Sequence, residues 1–339
     1  MLTPILLSSI LGVFSKRTPL EVQNLFEAYK NEYDHDFGEE DVKRLAIFHD
    51  NLKFIDEVNS RNLSYKLGIT PFTHLTNDEF REFVTRGYSL GDWQQTMLRG
   101  IDSEAQTFGF EGSVDDDLPM RVDYVEKGWV TDVKSQGTVC GSCWAFGVAG
   151  ALEGLHKNVT GQLVSLSEQE LIDCSTAYGN QGCNGTRHLN DSYEYVADHG
   201  LETERAYKYV GKDGQCRRNV SKDAVKARTI SHVNVKSNSS SSMLAAVAFG
   251  GPVSTLICGM SGVFQNYKSG IIKGDVCGNF PTHAVLVVGY DRGHDPYYRI
   301  KNSWGTKWGE HGYARIVIDD TEYGVCGLLR EPVYPISKS

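Results

Sequence analysis

The stretch from Cys140 to Phe146, which reads Cys-Gly-Ser-Cys-Trp-Ala-Phe, constrains this chain more than any other part of its sequence. Its glycine and serine suit the start of a helix, and apolar, helix-compatible residues follow as far as Leu155. Unpaired backbone N–H groups and the helix dipole at such a position favour a thiolate, so we expect a lowered pKa for Cys143. The two cysteines alone also fit a zinc knuckle, a redox dithiol or two structural thiols, so their partners must decide.

A histidine and an asparagine far downstream are candidate partners for this thiol. His283 precedes a continuous apolar run at 284–290 that predicts a buried strand, which would hold the imidazole in one orientation. The next strand-like run leads to Asn302 and Trp304, an amide that can orient an imidazole and an indole that can shield their hydrogen bond. A thiol with an oriented base predicts nucleophilic catalysis.

Cys143, His283 and Asn302 occur in the order and approximate spacing of papain-like cysteine peptidases. From about Leu118 onward the chain resembles that family, and it is most similar to the cathepsin L-like enzymes. The further motifs that carry the resemblance are Gln136-Gly137, Ser167-Glu168-Gln169, Gly182-Cys183-Asn184-Gly185, Lys301 to Gly305 and Trp308-Gly309.

The resemblance implies a role for each residue of the site. Cys143 would be the nucleophile and His283 the acid and base, paired as thiolate and imidazolium, with Asn302 orienting His283. Gln136 would donate its side-chain amide to the oxyanion hole beside the Cys143 N–H. The reaction would be acyl transfer to Cys143 followed by hydrolysis of the thioester, with no cofactor.

Substrate-binding residues also follow from the resemblance. Glu331 is placed at the floor of the S2 pocket, where cathepsin B carries a glutamate and tolerates arginine at P2. We therefore predict bulky apolar P2 residues, and arginine as well when Glu331 is ionised. The other expected cleft residues are Leu256, Pro281, Ala284, one of His188 or Leu189, Gly185, Thr186 and Trp304.

Two residues depart from the family pattern near the cleft. Thr186 stands where the family has a glycine that lets the substrate backbone approach, so its side chain either crowds the substrate or points away. Thr282 replaces an acidic residue that is common before the base, which reduces the charge near the ion pair.

Eight cysteines, one of them a nucleophile, leave an odd number for disulfides. Sequence alone allows many pairings. We expect Cys258, in an apparent strand, to be a buried and inert thiol. A zinc site is not expected, because the cysteines are dispersed and no second Cys-x-x-Cys occurs. The resemblance implies three bridges that leave Cys258 over: Cys140–Cys183, Cys174–Cys216 and Cys277–Cys326.

The leading segment of the chain is charged, free of cysteine and patterned as a helix. Six of its residues fall at steps of four, four, three, four and four, which puts them on one helix face. They match the E-R-F-N-I-N motif of cathepsin L-like propeptides, which cover the cleft until they are removed. The six are Glu40, Arg44, Phe48, Asn51, Ile55 and Asn59.

The chain is thus expected to have three parts. These are a signal peptide at 1–15, an inhibitory propeptide at 16–117 with its motif helix at 40–59, and a mature peptidase domain at 118–339. The acidic stretch at 112–117 is expected to be a flexible linker and the processing site.

A second motif of cathepsin L-like propeptides is only partly present. Gly68 and Phe72 match it, whereas Thr70 and His74 replace an amide and an acid. Our hypothesis is that His74 becomes charged near its ordinary pKa of about 6.5 and raises the pH of activation. The alternative is that His74 is an exposed replacement without effect on activation.

Secondary-structure signals in the mature region predict an α+β fold. Helical patterns cluster at 143–157, 167–173 and 189–199, and strand-like runs follow at 253–258, 284–290, 297–300 and 313–318. The resemblance adds the papain-like arrangement, in which Cys143 on a helical lobe faces His283 on a sheet lobe across a cleft.

Composition limits the partners and the compartment. The net charge of −9 provides no basic face for nucleic acid, and no segment reaches the length of a membrane span. The expected partners are polypeptide substrates, the chain's own propeptide and cystatin-type inhibitors. Six sequons fit the secretory route, with a lysosomal or extracellular destination: Asn62, Asn158, Asn184, Asn190, Asn219 and Asn238.

Other functions fit the sequence less well. A carboxydipeptidase would need a blocking loop for which the stretch from Gly182 to Cys216 has no room, while an aminopeptidase would need a retained propeptide fragment. A non-catalytic relative is favoured only by Thr186. A thiol oxidoreductase fails because Cys140 is needed to pair with Cys183.

Overall fold

The computed structural model describes residues 17–86, 107–226 and 228–338, so the expected signal peptide lies outside the described residues. Its α-helices are α1 Pro19–Tyr33, α2 Asp41–Ser60, α3 Asn77–Thr85, α4 Val114–Asp117, α5 Cys143–Thr160, α6 Glu168–Cys174, α7 Leu189–His199, α8 Ser240–Ala245 and α9 Gly262–Gln265. Its strands are β1 Tyr65–Leu67, β2 Thr107–Phe108, β3 Arg121–Asp123, β4 Gly200–Glu202, β5 Asp223–Lys226, β6 Ile230–Val235, β7 Val253–Ile257, β8 Tyr267–Ile272, β9 His283–Asp291, β10 Tyr297–Lys301, β11 Tyr313–Val317 and β12 Val333–Ser337.

The helices of the leading segment have the end signals that their sequence provides. Thr18 caps α1 by accepting a hydrogen bond from the Glu21 N–H, and the Glu21 carboxylate accepts one from the Thr18 N–H. Thr76 and Glu79 form the same reciprocal pair at the start of α3. These caps fix where the two helices begin.

The six motif residues lie on one face of α2 and of the short 3₁₀ turn before it, and they bind another part of the propeptide. Asn51 donates to the carbonyl oxygens of Thr73 and Leu75, each at 2.8 Å. Asn59 exchanges hydrogen bonds with the backbone of Leu67, and Arg44 pairs with Glu79 at 2.8 Å. Phe48 and Ile55 are buried. This face therefore holds the segment after α2 in place.

One sheet forms the centre of the molecule. Its strands follow the order β1-β8-β11-β10-β9-β7-β12-β6-β2, and β3 also pairs with β9. All these neighbours are antiparallel except β11 with β8 and β6 with β2. The segment before residue 118 supplies both edge strands, β1 and β2, and so covers edges that would otherwise be unpaired.

Helix α5 packs closely against the sheet because three glycines face it. A Cβ atom on Gly150 would lie 2.7 Å from the Leu286 side chain, and one on Gly154 would lie 2.7 Å from the Pro252 ring. Gly147 also faces the sheet, but a Cβ there would lie at an ordinary contact distance of 3.5 Å from the Val285 carbonyl oxygen. This close approach brings the first residue of α5 to the first residues of β9.

The α+β prediction is confirmed, and the predicted helices and strands of the mature region match observed elements to within three residues. The stretch at 112–117 differs from the expected flexible linker. Ser113 accepts a hydrogen bond from the Asp116 N–H and caps the single turn of α4. Arg292 pairs with Asp115 and donates to the Leu118 carbonyl oxygen. A local cap and one arginine thus order this stretch.

Across residues 17–86, 107–226 and 228–338, no helix combines the length and apolar character of a membrane span. The same ranges contain no group of three or more His, Cys, Asp or Glu side chains placed to hold a metal ion.

Candidate active site

Cys143 is the first residue of α5 and is buried against the start of β9. Its Sγ atom accepts a hydrogen bond from the Ala284 backbone N–H at 3.4 Å, and its side chain is almost completely shielded from solvent. The preceding residue, Ser142, has no side-chain cap hydrogen bond to the helix. The thiol therefore lies against the backbone of β9, one residue after His283.

His283 is held from two sides. Its Nε2 atom lies 2.7 Å from Asn302 Oδ1, and its ring stacks on Trp304 with centroids 4.5 Å apart. Asn302 Oδ1 also accepts the Ser303 N–H, so this oxygen cannot rotate away freely. Because Nε2 is engaged by an acceptor, Nδ1 is the ring nitrogen left to exchange a proton with a reacting group.

Gln136 is buried and fixed on the loop before α5. Its Nε2 donates to the Cys140 carbonyl oxygen at 3.1 Å, and its Oε1 accepts from the Ser303 hydroxyl at 2.7 Å. Its backbone carbonyl accepts the Tyr209 hydroxyl. The amide group therefore has one orientation, with its hydrogens toward the start of α5.

Burial favours the neutral forms of both the thiol and the imidazole. Burial raises the pKa of Cys143 to about 11, although backbone N–H groups oppose the rise. Burial also lowers the pKa of His283 to about 4, against the effect of the Asn302 hydrogen bond. The expected low pKa of Cys143 is therefore wrong for this form of the protein, because desolvation outweighs the helix N-terminus.

Aromatic residues of the leading segment bury the site. Phe72, Phe80 and Phe83 all contact Trp304, with ring centroids 5.1 to 6.0 Å apart. Arg86, just after α3, donates to the Thr138 carbonyl oxygen at 2.9 Å. The leading segment thus lies over the indole that stacks on His283.

Comparisons with known proteins agree with this geometry. Residues 118–336 match the papain family cysteine protease model, and residues 26–80 match the cathepsin propeptide inhibitor domain. The chain belongs to the papain family of cysteine proteases. It is a papain-like cysteine endopeptidase carrying its own inhibitory propeptide, and such a form is a zymogen.

Its relatives include plant proteases and solved zymogens. The chain is 41% identical to the probable cysteine protease RD21B of Arabidopsis thaliana over 334 residues, which is 96% of this chain and 68% of that protein. A procathepsin L 3 from the larval midgut of Tenebrio molitor superposes with a TM-score of 0.80 at 31% identity, covering 93% and 98% of the two chains. The proform of the ragweed pollen cysteine protease Amb a 11 gives 0.82 at 32% identity over 95% and 96%.

Several expected S2 residues of this papain-family chain lie together. Leu256 on β7 is the register partner of Ala284 on β9, and both are buried, as is Pro281. Glu331 lies beside His188, with Oε2 and Nδ1 3.4 Å apart. Leu189, the other candidate, is buried in the helical core.

The side chain of Thr186 turns into the protein rather than toward solvent. Its hydroxyl donates to the His188 carbonyl oxygen at 2.8 Å, and the residue is 5% exposed. Gly185 beside it has a φ of 98°, a backbone conformation that a side chain would strain. Of the two expectations for Thr186, the structure therefore favours a side chain that turns inward. Thr282 is also buried, and its hydroxyl accepts the Gly259 N–H.

The structure pairs the cysteines as the papain-family resemblance implies: Cys140–Cys183, Cys174–Cys216 and Cys277–Cys326. Cys258 is free and buried, and its thiol donates to the Cys277 carbonyl oxygen. Burial raises its pKa, which disfavours the reactive thiolate.

A buried ion cluster behind the site was missed by the sequence analysis. Lys134 pairs with Glu168 at 2.6 Å and lies 3.5 Å from Glu153. Lys301, just before Asn302, donates to Thr131, which in turn donates to Glu153. Burial raises the pKa of Glu168, and the Lys134 ammonium opposes that rise. Glu168 stood in a family motif, but no sequence pattern indicated that Lys134 is its partner.

Proposed function

We propose that this protease cleaves peptide bonds through a thioester on Cys143, with His283 as both acid and base. The observation that supports this most is the contact chain from Asn302 to His283 and from Ala284 to Cys143 Sγ. Once the propeptide leaves, water reaches the pair and the pKa shifts caused by burial diminish. The thiol proton then passes to Nδ1 of His283, giving thiolate and imidazolium.

The thiolate attacks the scissile carbonyl carbon, and the carbonyl oxygen becomes an oxyanion. The Cys143 N–H and the second N–H of the Gln136 amide stabilise that charge. His283 gives its proton to the leaving amine as the C–N bond breaks, which leaves the thioester. It then takes a proton from water, whose oxygen attacks the thioester and releases the acid and the thiol.

At the S2 pocket we propose a preference for bulky apolar P2 residues, with arginine also accepted. Leu256, Pro281 and Ala284 supply apolar walls, and Glu331 supplies a carboxylate. A carboxylate at the floor attracts the guanidinium of a P2 arginine. Gly185 and Thr186 would lie along the substrate backbone, while Trp304 would cover the His283–Asn302 bond.

The three disulfides support a route through the secretory pathway, to a lysosomal or extracellular destination. Cleavage near the exposed carboxylates of α4 would separate the propeptide at 16–117 from the enzyme at 118–339, and cystatin-type proteins would inhibit the product. One sequon, Asn190, is 7% exposed, so the proposal excludes glycosylation there.

The test is peptide cleavage by the mature enzyme. Wild-type protein should hydrolyse a Phe-Arg fluorogenic peptide after propeptide removal, and Cys143→Ser should lose that activity. Cys258→Ser is the matched control and should retain it, since its thiol lies outside the site. Equal turnover by wild type and Cys143→Ser would refute the proposal.

A further inference from the structure

His188 and Glu331 form a partly buried pair in the proposed S2 pocket. Nδ1 of His188 lies 3.4 Å from Oε2 of Glu331, with side-chain exposures of 21% and 9%. Both residues line a small recess that also includes Pro332. In the proposed S2 pocket, the imidazole thus lies beside the carboxylate that a P2 arginine would bind.

The charges around His188 come from three residues. The hydrogen bond to Glu331 raises the pKa of His188, burial opposes that effect, and the charge of Asp191 adds to the rise. Arg187 acts in the other direction. Strand β6 and the residues after it contribute only uncharged side chains to the recess.

We propose that His188 is a specificity-determining residue, which competes with a P2 arginine for Glu331 and so makes arginine acceptance depend on pH. The inference rests on the proposed function and on Glu331 lying in S2. When His188 is protonated, it neutralises Glu331 and repels a second cation. When His188 is neutral, Glu331 is free to bind the guanidinium.

The direction of the pH effect differs from that of a glutamate acting alone. A lone S2 carboxylate would accept arginine as soon as it ionises, at a pH of about 4 to 5. With His188 present, acceptance is delayed until the imidazole loses its proton, above its ordinary value of about 6.5. The enzyme would favour apolar P2 residues in acid and accept arginine near neutral pH.

The experiment measures kcat/KM of the mature enzyme for Arg-Arg and Phe-Arg fluorogenic peptides from pH 5 to 8. Both peptides share P1 and the catalytic groups, so their ratio isolates the S2 contribution. The wild-type Arg-Arg to Phe-Arg ratio should rise about fivefold to tenfold over this range, as expected for one partly buried charge pair.

Two substitutions fix the charge at position 188. His188→Asn should give a high ratio that stays level from pH 5 to 8, and His188→Lys should give a low ratio throughout. His188→Asn leaves Asp191 in place, so a pH dependence caused by Asp191 would persist in that variant. His294→Asn, at a fully exposed histidine, is the control and should behave as wild type.

The outcomes separate this inference from the proposed function. Turnover of the Phe-Arg peptide with a level wild-type ratio, or a pH-dependent ratio in His188→Asn, overturns the role of His188 alone. Glu331→Gln should lower Arg-Arg turnover at every pH, and an unchanged value would remove Glu331 from S2. Absence of turnover on both peptides would overturn the proposed function and this inference with it.

Discussion

At the residue scale, Cys143 and His283 show how strongly burial determines a catalytic pair. The same backbone N–H groups that would favour a thiolate are present, yet the pKa of Cys143 rises to about 11 because the thiol is buried away from water. The pKa of His283 falls to about 4 for the same reason. The residues of the site could be predicted from their spacing, but their protonation could not, because it depends on how deeply the folded chain buries them.

Gln136 offers a test at this scale. Gln136→Ala removes an oriented amide donor, so kcat should fall by about 10² to 10³ with a small change in KM. The measurement is steady-state hydrolysis of the Phe-Arg peptide by the mature variant. Gln162→Ala, at an exposed position, is the control, and a loss in Gln136→Ala smaller than threefold would contradict the oxyanion role.

At the element scale, the E-R-F-N-I-N face predicted helix α2 but not its partner. Asn51 and Asn59 bind the propeptide's own backbone at 67–75, and that segment in turn contacts the enzyme. Strand β2 has two residues and pairs with β6, more than 100 residues away. Such pairings depend on the assembled sheet, so local sequence patterns do not show them.

His74 lies in an element-scale cluster of the propeptide rather than at its surface. Its Nδ1 is 2.6 Å from the Tyr29 hydroxyl, and its ring lies 4.5 Å from that of His35. Burial, then the charges of His35 and Arg44, lower the pKa of His74 to about 3, while the Glu79 carboxylate opposes this. We expected His74 to titrate near pH 6.5 in the folded propeptide, or else to be an exposed residue. Both expectations are wrong.

The lowered pKa still makes the propeptide sensitive to acid. Stability from neutral His74 is fully present above its unfolded pKa of about 6.5 and is lost progressively as the pH falls toward 3, by about 2 kcal/mol at pH 5. His74→Asn should therefore shift the midpoint of autoprocessing to lower pH by several tenths of a unit or more. His49→Asn, on α2, is the control. An unchanged midpoint in His74→Asn would contradict this role.

At the scale of the whole molecule, the propeptide is part of the fold as well as its inhibitor. It adds edge strand β1 to the central sheet and places two phenylalanines, Phe72 and Phe80, on Trp304. Thr70 donates to the Gln265 carbonyl oxygen, and Gln265 donates to the Phe72 and Leu75 carbonyl oxygens. Removing it uncovers Trp304 and unpairs the β8 edge of the sheet in one event.

The central claim is that Cys143 is the nucleophile and that the propeptide keeps it unreactive. An epoxide inhibitor of cysteine peptidases, followed by mass spectrometry of the labelled peptides, tests both parts at once. We predict no adduct on the intact zymogen at neutral pH, and one adduct on Cys143 after acid processing, with none on Cys258. Equal labelling of Cys143 before and after processing, or labelling at Cys258 instead, would contradict the account.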